Sequence, residues 1–514
     1  MRKKKRIDPQ GAPFILGTLI MVMLLGLMAA PAGAIEHELT DANITDAVTD
    51  ELLTDSAVPS YLIDVATMEG IVTLSGSVDN ILAKDRAARI AETVKGVRAV
   101  VNKITVEPSI LRTDWEIRDD VKDALLSDPA TDSYEIDVEV EDNVVSLSGT
   151  VESMQEKNLC ETVAKGVKGV KGVNNEIVSV WPEKRSDQEI KAEVEKTLQW
   201  DTLVDDALIA VKVKDGEVTL MGTVGSAAEK TRAYLDACVH GVKSVDDSGL
   251  QVKRWARDKD LRGKKYVAKS DTEIEDAVKD ALLYDPRVFG YKITPEVAED
   301  GTTVILRGTV DNLKAKRAAA QDARNTVGVL RVDNRIKVRP AEPLSDQKIE
   351  SDVRRAILRD PYVESYEITV EVTNGVTDLY GIVDNYLEKS QAEDVASRVK
   401  GVIMVDNNLV VQEEYVLFTY EPYAGDLYPY TYEWYWPEPR YSTKRDKEIK
   451  ADIEDELWWS PFVEREDVEV TVDNGVATLT GTVDSWWEYD AAADNAYEGG
   501  AVYVDNDLIV ESGS

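Results

Sequence analysis

The side chains that most often do chemistry near neutral pH are scarce in this chain. Two histidines, His37 and His240, and two cysteines, Cys160 and Cys238, occur in 514 residues. A Ser-His-Asp or Cys-His set needs an imidazole beside its nucleophile, and a structural zinc site needs four nitrogen or sulfur ligands. Neither set can be built here except by coincidence. The phosphate-cradling G-x-x-x-x-G-K-[ST] loop is missing, as are the spaced oxygen ligands of a calcium loop. The sequence therefore supports no catalytic residue, no metal and no cofactor.

What it does carry is contact chemistry, in two short segments. Lys253 to Lys269 reads KRWARDKDLRGKKYVAK, with eight basic and two acidic residues. Lys253, Arg254, Trp255, Arg257, Lys264 and Lys265 are the candidate contacts, because a basic side chain near an anionic lipid surface contributes about 1 kcal/mol. The same charges can instead pair with acidic neighbours in the chain. Tyr415 to Tyr441 holds eleven aromatics in 27 residues, together with Pro422, Pro429, Pro437 and Pro439. Its candidates are Tyr430, Trp434, Tyr435 and Trp436, since Tyr and Trp join an apolar body to a polar tip and suit membrane interfaces and protein hot spots alike. A strap packed against Trp458, Trp459, Trp486 and Trp487 is the other reading.

The rest of the chain is strongly acidic, with a formal charge of −37. Affinity for nucleic acid rests on clustered Lys and Arg, so that class of partner is excluded, and no small-molecule substrate is expected. Residues 1–34 read as a secretory leader: Arg2 to Arg6 are basic, Phe14 to Ala30 are mostly apolar, and Ala32-Gly33-Ala34 is a small-residue cleavage site. Cleavage after Ala34 would release a periplasmic or otherwise exported protein. An uncleaved leader would anchor it in the inner membrane by its N-terminus.

The elements that must position these segments repeat. A glycine follows a β-rich run at Gly76, Gly149, Gly222, Gly308, Gly381 and Gly481, and a second glycine follows 19 or 20 residues later, at Gly96, Gly169, Gly241, Gly328, Gly401 and Gly500. Two glycines held in register six times identify a tandem repeat. Each copy opens with a capped amphipathic helix, as in Ser186-Asp187-Gln188-Glu189-Ile190, where Ser and Glu form a capping box. Two alternating runs follow, joined by Asp215-Gly216, Asp300-Gly301, Asn374-Gly375 or Asn474-Gly475, the residues of a two-residue hairpin. Asp79-Asn80, Asp311-Asn312 and Asp384-Asn385 then cap a second helix, the second glycine ends it, and a third strand returns parallel.

The expected fold is α+β: six tandem α-β-β-α-β units, each a three-stranded mixed sheet covered on one face by two helices. The units span 38–108, 112–182, 186–253, 270–340, 345–412 and 445–512, with a basic linker at 254–269 and an aromatic, proline-rich linker at 413–444. The glycine inside the second strand leaves room for the close approach of a helix or turn, or, less simply, of a ligand. His240 takes the place of Lys95 and Lys400 and reads as a charge-tolerant surface position. Cys160 and Cys238 read as small buried residues or as an inter-unit disulfide.

The motifs [ST]-D-x-E-I, V-T-L-x-G-x-V and K-G-V-x-x-V-x-N, the last seen as Lys400 to Asn407, resemble the BON domain, the family of bacterial osmotically induced and nodulation proteins. The resemblance covers about residues 40 to 511 apart from the linkers. It implies a non-enzymatic protein of the periplasm or envelope that contacts phospholipid or envelope surfaces. Six copies exceed the family's usual one to three, and the sixth replaces Lys-Gly-Val by Gly499-Gly500-Ala501. Two functions are open at this point. One is a multivalent protein on phospholipid membrane surfaces that supports envelope integrity or osmotic stress tolerance. The other is a periplasmic scaffold that binds envelope proteins or cell-wall polymer without lipid affinity.

Overall fold

The computed structural model describes residues 39–510 apart from 56, 132–135, 258–260, 263–264, 289–290, 341–343, 364–365, 367 and 412–443. The leader lies outside the described residues, as does nearly all of the aromatic linker. Six units follow one another, each in the order helix, strand, strand, helix, strand. In unit 1 these are Asp41–Thr54, Ile63–Met68, Ile71–Val78, Ile81–Glu92 and a third strand in two pieces, Ala99–Asn102 and Thr105–Val106. The first two strands pair antiparallel, with Ile63 opposite Gly76, and the third lies parallel to the second. The fold is the expected α+β class, with six mixed sheets, three-stranded once a split third strand is counted as one, and twelve α-helices among the described residues.

The repeated motifs have structural causes. In unit 3, Ser186 Oγ accepts from the Glu189 N–H while the Glu189 carboxylate accepts from the Ser186 N–H, closing the capping box. The aspartate between them ties the helix to the hairpin: Asp187 accepts from the turn N–H groups of Asp215 at 2.9 Å and Gly216 at 3.0 Å. Asp41, Asp114, Asp346 and Asp446 clamp their own turns in the same way. The asparagine of the third strand is a second tie, since Asn407 Nδ2 donates to the Lys389 carbonyl of the second helix at 2.8 Å.

Two expectations need correction. Asp300-Gly301 is not a two-residue turn, because the first strand of unit 4 ends at Val297 and the second begins at Thr303. Asp300 caps that longer loop through the N–H groups of Thr302 and Thr303. Nor does the second glycine directly end the second helix outside unit 6, where Gly500 follows the C-cap Gly499 at a φ of 99°. That helix stops at Glu92 in unit 1, and Gly96 sits in the next turn at a φ of 94°. A Cβ there would meet Ile44 Cδ1 at 2.9 Å, so the glycine lets the first helix lie against the turn.

Each unit has its own hydrophobic core, and the cores interlock. Ile81, Met154 and Ala227, the first residues of the second helices of units 1, 2 and 3, are buried in the cores of units 2, 3 and 1 respectively. Units 1 to 3 therefore close a ring. Each member also pairs with a unit from the second half of the chain through one repeated contact, in which the end of a first helix accepts a backbone hydrogen bond from the turn of the second glycine. Lys95 N–H donates to the Trp459 carbonyl at 2.9 Å, Lys168 N–H to Arg359 at 2.7 Å and Val327 N–H to Trp200 at 2.8 Å. The pairs are nested: 1 with 6, 2 with 5, 3 with 4.

The pairing of units 3 and 4 explains one side chain, and the cores of units 2 and 3 explain two more. His240 is 5% exposed, stacked on Trp181 at 4.0 Å and edge-on to Tyr284 of unit 4 at 5.3 Å. The surface reading of His240 is thus overturned, because the neighbouring unit covers it; burial, with Arg185 nearby, lowers its pKa to about 4. Cys160 and Cys238 are both buried and unpaired with each other, which removes the disulfide reading, and burial pushes the Cys238 thiol up to about 12.

Where units 1 and 6 meet, Glu51, Glu456 and Glu498 bring carboxylate oxygens within 4.8 Å of one another. Burial raises all three, and Glu51 reaches about 7, with Asp50 and Asp55 adding to the rise and a hydrogen bond with Glu456 opposing it. Folding thus takes up protons between the unfolded value near 4.5 and about 7. Stability from this seam is complete below the unfolded value and is lost as pH rises through the folded one. Glu498→Gln is expected to match the parent at pH 5 and to exceed it by about 2 kcal/mol at pH 8, read from urea unfolding. Equal stability differences at both pH values would refute this reading.

Candidate functional site

The basic segment leaves the third strand of unit 3 at Val252, where Lys253 N–H still donates to the Val224 carbonyl at 2.8 Å. One 3-10 turn, Arg254–Arg257, follows. It buries Ala256 at 3% exposure and leaves Arg254 and Trp255 on the surface, Trp255 at 57%. Arg257 turns the other way, with Nη2 donating to the Phe462 carbonyl at 3.0 Å and Nε 3.7 Å from Glu464.

Beyond that turn the segment is a clamp. The Arg262 side chain, 5% exposed, lies 3.3 Å from Asp205 of unit 3 and 2.8 Å from Asp484 of unit 6. Lys265 is buried as well. Its ammonium donates to the Leu198 carbonyl at 2.9 Å and to that of Val204, and Asp206 stands 3.5 Å away. Lys265 therefore cannot serve as a surface contact: three oxygens from unit 3 already solvate its charge. Lys264, Tyr430, Trp434, Tyr435 and Trp436 lie outside the described residues.

Arg254, Trp255 and Arg257 do come together, in an open cleft of about 610 Å³ where units 1, 3 and 6 meet. Unit 1 adds Lys95, which the sequence did not mark out: it precedes Gly96 as Lys168 and Lys400 precede theirs, and only the partner unit makes it different. Lys95 Nζ donates to the Trp458 carbonyl at 2.5 Å and lies 4.9 Å from the Trp458 ring. Burial, with Arg254 and Arg257 nearby, lowers its pKa to about 8, while Glu464 and Glu466 work against the fall. The cleft thus gathers three cationic groups and an exposed indole, with Glu464, Glu466 and Asp467 in the same wall. An anion placed among Lys95, Arg254 and Arg257 would relieve their mutual repulsion, and Trp255 offers apolar surface beside it.

The glycines Gly76, Gly149, Gly222, Gly308, Gly381 and Gly481 all have positive φ. At Gly76 a Cβ would stand 2.0 Å from the Leu62 carbonyl oxygen, and Gly222 and Gly481 show the same approach by Leu208 and Asp467. At these positions, and at Gly308, where a Cβ would stand 2.4 Å from the Lys292 carbonyl oxygen, the glycine admits the turn that leads into the first strand, as the close-approach reading expects. Among the described residues no helix is long and apolar enough to cross a membrane.

The chain is similar to the "Osmotically-inducible protein Y" of Escherichia coli (strain K12), at 35% identity over 145 residues, 27% of this chain and 72% of that protein. It is also similar to the "Outer membrane lipoprotein DolP" of Haemophilus influenzae, at 31% identity over 115 residues, 22% of this chain and 59% of that protein. A solved structure, the C-terminal domain of CdsD from the type III secretion system of Chlamydia trachomatis, aligns with 46% of this chain and 96% of its own at 13% identity; its TM-score of 0.12 carries no argument. The family model described as "BON domain" matches residues 40–108, 113–180, 186–254, 270–340, 345–413 and 445–512. With well over half of its residues matched and every α-β-β-α-β unit included, the chain belongs to the BON domain family.

Proposed function

We propose that this is a non-enzymatic protein of the cell envelope that associates with anionic phospholipid surfaces through the cleft of units 1, 3 and 6, and that it supports envelope integrity under osmotic stress. The observation that carries this reading is the meeting of Lys95, Arg254 and Arg257 beside the exposed Trp255 in a chain that is otherwise acidic. The names of its relatives, one osmotically inducible and one an outer-membrane lipoprotein, agree with that setting. Export after cleavage at Ala34 belongs to the same proposal. The remaining acidic surface opposes approach to an anionic membrane, but salt blunts that repulsion beyond about 8 Å, so short-range contacts at the cleft decide the outcome.

The test is co-sedimentation of residues 35–514 with vesicles. Phosphatidylglycerol vesicles at physiological salt, where the acidic surface is screened beyond about 8 Å, are expected to pellet the protein, and phosphatidylcholine vesicles are not. The double variant Arg254→Glu with Trp255→Ala alters only exposed side chains and is expected to weaken binding at least tenfold, since charge reversal removes about 2 kcal/mol of attraction. Failure of anionic vesicles to carry the protein down would overturn lipid association and leave the scaffold reading, with protein or cell-wall partners, in its place.

A further inference from the structure

Units 3 and 4 enclose a second site, remote from the basic cleft in character. It is a cavity of about 80 Å³ walled by both units and by Gln155 of unit 2, with Trp200, Leu235, Ala277 and Tyr284 as its apolar side. Its polar side is acidic. Arg232 donates through Nε to Asp201 at 2.9 Å and faces Asp236 Oδ1 at 3.2 Å, so one guanidinium is shared by two carboxylates. Asp322 stands near Asp285, whose own charge is met by Arg287 at 2.5 Å. Asp236 thus shares Arg232 with Asp201, and Asp322 hydrogen-bonds to Asp285, with Arg287 and Arg232 nearby but each already held by another aspartate.

The cavity wall also carries polar atoms with no hydrogen-bond partner in the protein. These are Gln155 Oε1, Asp236 Oδ2, Asp322 Oδ2 and Arg232 Nη1. Asp236 is 6% exposed and Arg232 8%, so bulk solvent does not reach them freely. A buried polar group without a partner costs about 1–3 kcal/mol, and one small cavity collects four. Three of those atoms are acceptor oxygens, and an occupant that satisfies them must present donors.

We propose that this cavity binds a small alkylammonium ion, with its N–H groups on Asp236, Asp322 and Gln155 and its alkyl part against Leu235 and Ala277. Charge, donor count and the apolar wall all select that class. A bare metal ion fits less well, because no three carboxylates here approach one another as Glu51, Glu456 and Glu498 do. Burial holds Asp236 and Asp322 well above the usual carboxylate range, with neighbouring carboxylates adding to the rise. A bound cation would bring them down, so its binding releases protons. The Lys196–Asp280 ion pair, 46% and 36% exposed, stands at the mouth.

The experiment uses residues 35–514 and ethylammonium chloride, followed by isothermal titration in two buffers of different ionisation enthalpy and by thermal unfolding against equal sodium chloride. Ethylammonium is expected to bind with proton release and to raise the melting temperature. Tetramethylammonium, with the same charge and no N–H, is expected to do neither. Asp322→Asn keeps the volume and is expected to weaken binding at least tenfold, and Ala277→Leu, which fills the apolar side, is expected to abolish it. Absence of binding, or equal binding of tetramethylammonium, or full binding by Asp322→Asn, would overturn the proposal and leave ordered water as the cavity's occupant. None of these readouts depends on vesicle binding, so the two proposals stand or fall separately.

Discussion

Replacing Arg262 by alanine is expected to lower the unfolding free energy by about 4 kcal/mol, because removing one member of a buried ion pair strands its partners. The guanidinium lies between Asp205 of unit 3 and Asp484 of unit 6, with Glu488 at 3.9 Å. Burial already pushes Glu488 up to about 7, and Arg262 is the first group that opposes the rise. Without it, three carboxylates from two units would face one another with only water to separate them. The loss should shrink at pH 5.5, where Glu488 is protonated and no longer needs a counter-charge. Arg262→Lys should recover less than half, since a point-like ammonium cannot reach carboxylates on both units at once. Urea unfolding at pH 7.5 and pH 5.5 measures both effects; a change within about 0.5 kcal/mol at pH 7.5 would show that the segment is no clamp.

That clamp marks the boundary of what the sequence could reveal. Local rules wrote the units. The glycine pair sets the period, Ser270 with Glu273 marks a helix start, and Asn374-Gly375 marks a turn with φ values of 52° and 78°. Such signals act within a few residues, so each of the six copies announces its own fold. The ring of units 1 to 3 and the nested pairs rest on contacts across distances that periodicity does not encode. Lys95 and Lys168 look alike in sequence, yet one meets Trp458 and the other the Val363 carbonyl at 3.3 Å. Composition found the basic segment but could not divide it. Arg254 and Lys265 are both cations in one run, and only the placement of Leu198, Val204 and Asp206 turns the second inward. His240 failed for the same reason, because its burial comes from Tyr284 of another unit.

Gly222→Ala is expected to destabilise the chain by about 4 kcal/mol, combining positive-φ strain of about 1–3 kcal/mol with forced overlap of about the same size. Gly222 has a φ of 127°, and a Cβ there would stand 2.0 Å from the Leu208 carbonyl oxygen and 3.1 Å from its carbon. Neither partner can retreat cheaply. Leu208 ends the 3-10 turn Asp206–Leu208 that leads into the first strand, and Gly222 lies in the central strand, opposite Ile209 on one side and Leu250 on the other. Moving the carbonyl breaks the entry to one strand pair, and moving the glycine breaks both. Gly172→Ala is the matched control: its φ is ordinary, the nearest atom to a Cβ is Val144 Cγ1 at 3.7 Å, and the change should stay within about 0.5 kcal/mol. Hydrogen exchange adds a spatial readout. Ala227 of unit 3 is buried in the core of unit 1, and Lys265 holds Leu198 and Val204. Loosening the central strand should therefore raise exchange in the second helix of unit 1 as well as throughout unit 3. An alanine variant within about 1 kcal/mol of the parent would mean that the Leu208 turn yields, and that the glycine is kept for something other than this approach.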